Sequence, residues 1–385
     1  MSGELGVAGF GSTRSVHRSL ITCLGSSFTE FCALCSSIRV VSGAEFTPIQ
    51  NEGTRSIETE IHQPPRAGSR TPVRIIGVAC GAGAPDPRCA EGPATLRREG
   101  LVRHLRGAGV DAAWSATIPA QTGNDAISVI LPVAERLAAH AGALVAREQL
   151  PLVLGGDHSC AIGSWKGIAR AVAPRGPLGL VWIDAHMDAH TPQTTPSGRL
   201  HGMPLACLLG YGDLRLTSIA GGIRLDPERV CVIGVRSFEN GEEMLLRRLG
   251  VRVFFMHELE RRGLMAVMRD AFAIAGRGRT PYGISFDLDA LDPRDAPGVC
   301  TPVVGGIRAS ELRDAFSRLG GDPALAGLEV VEYNPHHDRR GATARLAGDL
   351  VGALLAPPGL RLLQRGRVPS NDERYRIKGT RRRAA

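Results

Sequence analysis

The stretch Val181-Trp-Ile-Asp-Ala-His-Met-Asp-Ala-His190 ends an apolar run in side chains able to hold a metal ion. Side chains alternate sides along extended backbone, so Asp184, His186 and Asp188 at i, i+2 and i+4 share one side. A purely structural role would require three adjacent desolvated polar groups each to find its own partner. Two further apolar runs end similarly, in Leu152-Val-Leu-Gly-Gly-Asp-His158 and in Tyr282-Gly-Ile-Ser-Phe-Asp287-Leu-Asp289. Alone, His158 would read as a structural histidine and the Asp-x-Asp pair as a solvated loop. Together the three runs deliver one, three and two candidate ligands to what would be a single sheet edge.

Two histidines and four aspartates form a hard, oxygen-rich donor set. Such a set argues against a thiolate-rich zinc or iron–sulfur centre and for manganese or a similar divalent ion. Six donors are too many for one ion with an open position, whereas two ions sharing bridging carboxylates would use them all.

The stretches Gly155-Gly-Asp-His158-Ser, Asp184-Ala-His186-Met-Asp188 and Ser285-Phe-Asp287-Leu-Asp289-Ala-Leu-Asp292-Pro resemble the three signatures of the arginase/agmatinase (ureohydrolase) superfamily, in the family's order. The resemblance runs from about Val73 to about Leu355 and is closest to arginases. It implies a hydrolase with two Mn2+ ions per subunit that cleaves a guanidino group and releases urea. Metal coordination lowers the pKa of water from about 15.7 to about 7, which supplies the nucleophile that a poorly electrophilic guanidinium carbon needs. Carried over by motif, one ion is expected on His158, Asp184, Asp188 and Asp287, and the other on Asp184, His186, Asp287 and Asp289. Asp184 and Asp287 would bridge, and Asp188 would also relay a proton. Glu332 in Leu328-Glu-Val-Val-Glu332-Tyr-Asn-Pro matches the family glutamate that pairs with the guanidinium, while Glu329, at an odd offset, falls on the other face. His201 matches the histidine that shuttles protons to the leaving amine. Asp292-Pro293 reads as a structural turn.

The same resemblance bears on the substrate. Thr195 and Ser197 match positions that hold an α-carboxylate in arginases, and Glu239 and Glu242 align with acidic positions facing an α-amino group. His190 and Arg199 stand where arginases usually carry asparagine, and Glu239 replaces a usual aspartate. L-Arginine, giving L-ornithine and urea, ranks first, followed by 4-guanidinobutyrate and then agmatine, with formiminoglutamate open through a shared mechanism. A non-catalytic ureohydrolase-like scaffold would be expected to have lost ligands that this chain retains.

The elements that must position these residues alternate. Strands are expected at Val73–Val78, Val110–Trp114, Leu152 onward, Gly179 onward, Val230–Val235, Val251–Phe255, Tyr282–Phe286 and Gly327–Val331. Helices are expected from Gly92-Pro93 through Leu96, Leu101 and Leu105, and over Asp125–Arg147, Ser159–Ala173, Glu242–Leu249, Glu258–Ala275, Ser310–Leu319 and Ala342–Leu355. The pattern predicts an α/β domain, a doubly wound, mostly parallel eight-stranded sheet with helices on both faces. Periodicity alone also permits a barrel, and the resemblance implies the three-layer αβα arrangement.

The 385 residues carry a net charge of +8, but Arg361–Ala385 holds nine basic and two acidic residues, so the charge is a tail and not a nucleic-acid surface. No apolar run approaches the roughly 20 residues of a membrane span. Nine scattered cysteines, including a lone Cys32-Ala-Leu-Cys35, lack disulfide or zinc spacing and suit a reducing cytoplasm. Cys160, Cys207, Cys231 and Cys300 read as small core hydrophobes. Residues 1–70 read as a weakly ordered extension, 71–358 as the catalytic domain and 359–385 as a basic tail. The expected partners are a small guanidino substrate and further copies of the chain, in a trimer or hexamer by family resemblance, with no nucleic acid and no membrane.

Overall fold

The computed structural model describes residues 71–357; the expected extension, the basic tail and the Cys32/Cys35 pair lie outside them. Eight strands form one sheet: β1 (Val73–Ala79), β2 (Ala112–Pro119), β3 (Leu150–Leu154), β4 (Gly179–Ile183), β5 (Val230–Val235), β6 (Arg252–Phe255), β7 (Tyr282–Asp287) and β8 (Leu325–Val331). Their order is β2-β1-β3-β8-β7-β4-β5-β6, and every neighbouring pair runs parallel. The sheet is open, with β2 and β6 at its edges, which decides against a barrel.

The inner strands are apolar on both faces because both faces are covered. One face packs Ile75, Leu152, Val181, Ile233 and Phe286 against Met268, Phe316 and Leu350 of the helices Leu264–Ala275, Ala309–Leu319 and Ala342–Leu355. The other packs Ile76, Val153, Leu180 and Val232 against Ile130, Leu137 and Ile168 of the helices Ala126–Ala146 and Ala161–Val172. The result is three layers.

Helix Ala126–Ala146 opens on a capping box: Ser128 N–H donates to Asp125 Oδ1 at 2.7 Å, and Asp125 N–H donates to Ser128 Oγ at 3.0 Å. By length and composition this helix could cross a membrane, contrary to the expectation that no segment could. Its apolar side is instead core. It lies so close to Ala161–Val172 that a Cβ on Gly163 or Gly167 would meet the carbonyl oxygens of Ala134 at 2.5 Å or Ala138 at 2.2 Å.

The expected helix through Leu96, Leu101 and Leu105 is two, Gly92–Arg98 and Leu101–Gly107, parted at Gly100 with φ +88°. Glu258–Ala275 likewise divides into Met256–Arg262 and Leu264–Ala275 at Gly263, φ +82°. Apolar periodicity carries across both breaks, since a left-handed glycine changes direction without changing composition. β2 starts at Ala112 rather than Val110 and continues to Pro119. As an edge strand it exposes Ser115 and Thr117 in part or whole, so it lacks a continuous apolar run. Cys160, Cys207 and Cys231 are buried as expected, but Cys300 is not: it is partly exposed and its sulfur has polar neighbours.

Candidate active site

The strand order sets β3, β8, β7 and β4 side by side, and parallel pairing brings their C-terminal ends to one edge of the sheet. The residues at or just past these ends are His158, Glu332, Asp287 with Asp289, and Asp184 with His186 and Asp188. In open α/β sheets ligands bind at this edge.

His158 begins a short 3-10 turn after Gly155-Gly156, where a Cβ on Gly156 would meet the Cys80 carbonyl at 2.0 Å. Its Nδ1 lies 2.9 Å from Asp188 Oδ2, 3.1 Å from Asp287 Oδ2 and 3.2 Å from Asp184 Oδ2. None of these oxygens is aligned for a hydrogen bond, and Nδ1 is buried without a partner. Nδ1 and oxygens of Asp184 and Asp188 lie within 4.8 Å of one another, while Asp287 approaches Nδ1 without joining that group. A nitrogen and carboxylate oxygens gathered without hydrogen-bonding one another is the arrangement of ligands around a cation. A second group meets at His186, whose Nδ1 is 3.4 Å from Asp184 Oδ1 and 3.2 Å from Asp289 Oδ2. Asp184 thus turns one oxygen to each imidazole.

The charge balance agrees with a cation site. Among the described residues no lysine or arginine forms an ion pair with Asp184, Asp188, Asp287 or Asp289. Burial and the Asp184 charge push Asp188 up to about 6, and burial with Asp289 and Asp184 raises Asp287 well above the carboxylate range. Burial alone would lower His158 and His186, but the surrounding carboxylates outweigh it and raise both. Asp184 is held low by the two imidazoles against the effect of its own burial. The donor set therefore fits divalent cations, in two groups joined through Asp184.

A supporting layer holds the donors. His158 Nε2 meets Ser285 Oγ at 2.9 Å, and Ser285 donates to Glu329 Oε2 at 2.8 Å. Glu329 is fully buried and also accepts from Ser164 Oγ at 2.6 Å and Trp165 Nε1 at 2.9 Å. Trp182 stacks on His158 with ring centroids 4.1 Å apart and donates Nε1–H to Asp184 Oδ2 at 2.9 Å. Thr301 Oγ–H donates to Asp289 Oδ2 at 2.9 Å. Asp157 accepts from the backbone N–H of Gly83 and of Ser159, each at 2.8 Å, tying the loop after β1 to the His158 turn. The Arg236 guanidinium donates to the carbonyls of Asp289 and Val303, both at 2.7 Å, clamping the loop after β7. Asp292 accepts backbone N–H groups from Arg294 and Gly305 at 3.0 Å, the structural turn that its motif suggests.

Glu332, 1 % exposed, is a buried group and not a solvated strand end. Its Oε1 accepts from His158 N–H at 2.9 Å and faces His201 Nδ1 at 3.3 Å, while its Oε2 is buried and unpartnered. Burial would lower His201, but Glu332 outweighs it and pushes the imidazole up to about 9. Asp188 and Glu332 both adopt left-handed backbone, φ +51° and +64°, as do four other non-glycine residues among those described.

The outer residues divide. His190 Nε2 lies 3.0 Å from Glu239 and 3.3 Å from Glu242, so these three come together, and His190 holds Glu239 low while burial pushes Glu242 up to about 8. Thr195, Ser197 and Arg199 are not gathered with them. Thr195 Oγ1 accepts from Gly198 N–H at 3.0 Å, Ser197 Oγ from Arg199 N–H at 3.3 Å, and Arg199 donates to the Ala84 carbonyl at 3.0 Å. Of the supporting residues, Trp182, Thr301 and Arg236 lie outside the three signatures, while Asp157 and Ser285 lie inside two of them with no role assigned to them there. Only Asp157, a polar residue at a turn start beside His158, offers a local signal.

Comparison with known proteins agrees with this arrangement. The Arginase family model matches residues 71–356. The arginase of Bacillus caldovelox is 39% identical over 74% of this chain and 97% of its own, and human Arginase-1 is 36% identical over 70% and 86%. The solved B. caldovelox arginase structure superposes with a TM-score of 0.70 at 38% identity, covering 74% of this chain and 99% of that one. Motifs, sheet order and similarity over most of the chain lead to one assignment: the chain belongs to the arginase family and is a metal-dependent ureohydrolase.

Proposed function

We propose that this chain hydrolyses L-arginine to L-ornithine and urea with two Mn2+ ions per subunit. The observation that carries the reading is Asp184, which offers its two oxygens to two separate donor groups beside a buried, unpartnered Glu332 oxygen. His158, Asp184, Asp188 and Asp287 would hold one ion, and Asp184, His186, Asp287 and Asp289 the other. The hard carboxylate donors suit manganese, which when bound supplies an activated water. Glu332, with Oε2 free, pairs with the guanidinium and fixes its carbon over the centre. His201, held against Glu332 Oε1, carries a proton to the departing amine, and Asp188 takes one from the attacking water.

At the far end of the substrate, Glu239 is kept ionised by His190, which suits an α-ammonium group. This favours arginine over 4-guanidinobutyrate, which lacks that group. Thr195, Ser197 and Arg199 would meet the α-carboxylate, a contact that agmatine cannot make. The family resemblance supports a trimer or hexamer, and the cysteine spacing a cytoplasmic setting.

The test is urea release by manganese-loaded protein from arginine, 4-guanidinobutyrate, agmatine and formiminoglutamate, the last read as formamide. Arginine is expected to give the highest kcat/KM. Preference for a guanidine without an α-amino group would reject Glu239 as its partner, and no turnover of any of them with metal bound would return the chain to the scaffold reading.

A further inference from the structure

A second donor cluster lies beside the first and differs from it in kind. Cys89, Cys300 and Glu332 each place a donor atom, two sulfurs and a carboxylate oxygen, within 4.8 Å of one another. Three remote segments build it. Cys89 sits in the 3-10 turn Pro87–Glu91 after β1, and a Cβ on the following Gly92 would meet the Tyr333 carbonyl at 2.4 Å, so this turn is pressed against the end of β8. Cys300 is brought up by an isolated antiparallel bridge between Val299 and Tyr333.

Three features suit a soft cation. Cys89 is fully buried and Cys300 partly exposed, which gives the pair one solvent-facing side. Asn334 Nδ2–H points at Cys300 Sγ from 3.6 Å and is anchored on Asp86 Oδ2 at 2.8 Å, which fixes the sulfur in place. Glu332 already uses Oε1 for two neighbours, while Oε2 is buried without a partner. Tetrahedral ligands about 2.3 Å from a zinc ion lie about 3.8 Å apart, a spacing that the cluster accommodates.

We propose that Cys89, Cys300 and Glu332 form a third metal site, selective for thiophilic divalent cations such as zinc or cadmium, whose occupation inhibits the enzyme by withdrawing Glu332 from the guanidinium. The inhibitory part rests on the role given above to Glu332; the binding part does not. The hard carboxylate centre contains no sulfur, so softness separates the two sites. Binding displaces the two thiol protons to solvent.

Full-length protein held in excess manganese is titrated with cadmium and followed by sulfur-to-cadmium charge-transfer absorption, a signal that the carboxylate centre cannot produce. One cadmium per chain is expected to give the band at this site, and Cys89→Ser and Cys300→Ser are each expected to lose one equivalent of it. Should Cys89→Ser not fold, the partly exposed Cys300 position still decides. Cadmium is expected to raise the apparent KM at unchanged kcat, and at least a tenfold higher concentration to be needed in the Cys300→Ser variant. A band that survives both substitutions, or a pair of thiols recovered only after reduction, would overturn the site. A lost band with no effect of cadmium on KM would overturn the inhibition. If no guanidine is hydrolysed, the functional reading fails while the absorption still reports on the site.

Discussion

Ser285 shows how the site depends on a hydroxyl that stands inside a signature without being a ligand. A histidine that ligates through Nδ1 must carry its proton on Nε2, and Ser285, backed by Glu329, accepts it there. Ser285→Ala is expected to weaken metal binding by about 10–100-fold with little change in fold, read by metal content after dialysis and by circular dichroism. His201 makes a different prediction. Replacement by asparagine should slow turnover by about 100-fold or more, with partial rescue by imidazole. His201 is pushed up from an ordinary value near 6.5 to about 9, so its pairing with Glu332 stabilises fully below 6.5 and is lost as pH rises through 9. In chelator-treated protein the advantage of wild type over His201→Asn should therefore shrink across that window, by up to about 3 kcal/mol in urea melts. The six proposed ligands were legible because each stands at or just past the end of an apolar run, which is a local signal. Alternation along a strand is not what groups them, since Asp184, His186 and Asp188 follow β4 in a bend and only Asp287 lies on a strand. Ser285 and Trp182 sit inside apolar strands, and their partners are set by strand neighbours that local spacing does not name. Glu329, bonded to Ser164 and Trp165, reaches His158 through Ser285. Cys300 read as core from its flanks, because the Val299–Tyr333 bridge that gives it polar company joins segments remote in sequence.

At the scale of elements, the contact between helices Ala126–Ala146 and Ala161–Val172 is set by absent side chains. Gly167→Ala would drive a Cβ to 2.2 Å from the Ala138 carbonyl, which cannot give way as a flexible side chain would. A loss of about 1–3 kcal/mol in denaturant melts is expected, with metal stoichiometry kept, since the helices lie behind the strands that carry the ligands. Strands and long helices were legible from apolar runs and from signals such as Gly92-Pro93. The breaks at Gly100 and Gly263 were not, since each replaces a helical step by a left-handed turn inside an unbroken apolar rhythm.

At the scale of the molecule, alternation of strands and helices left sheet and barrel open, and only the order β2-β1-β3-β8-β7-β4-β5-β6 distinguishes them. That order depends on which crossovers reverse direction, and composition does not encode it. The family match spans residues 71–356, so a chain cut to 71–358 is expected to keep metal binding and urea release; loss of either would assign a role to the extension or the tail. Sedimentation of the full and the cut chain would show whether assembly needs the ends. The parallel sheet also has a practical corollary. Every proposed ligand lies at or just beyond the finishing end of a strand, while the turns at Arg147–Glu148 and Arg175–Pro177 lead into the starting ends of β3 and β4 and are largely exposed. A tether grafted there, to a bead or an electrode, would grip the protein by its floor and leave the chemistry facing the bath.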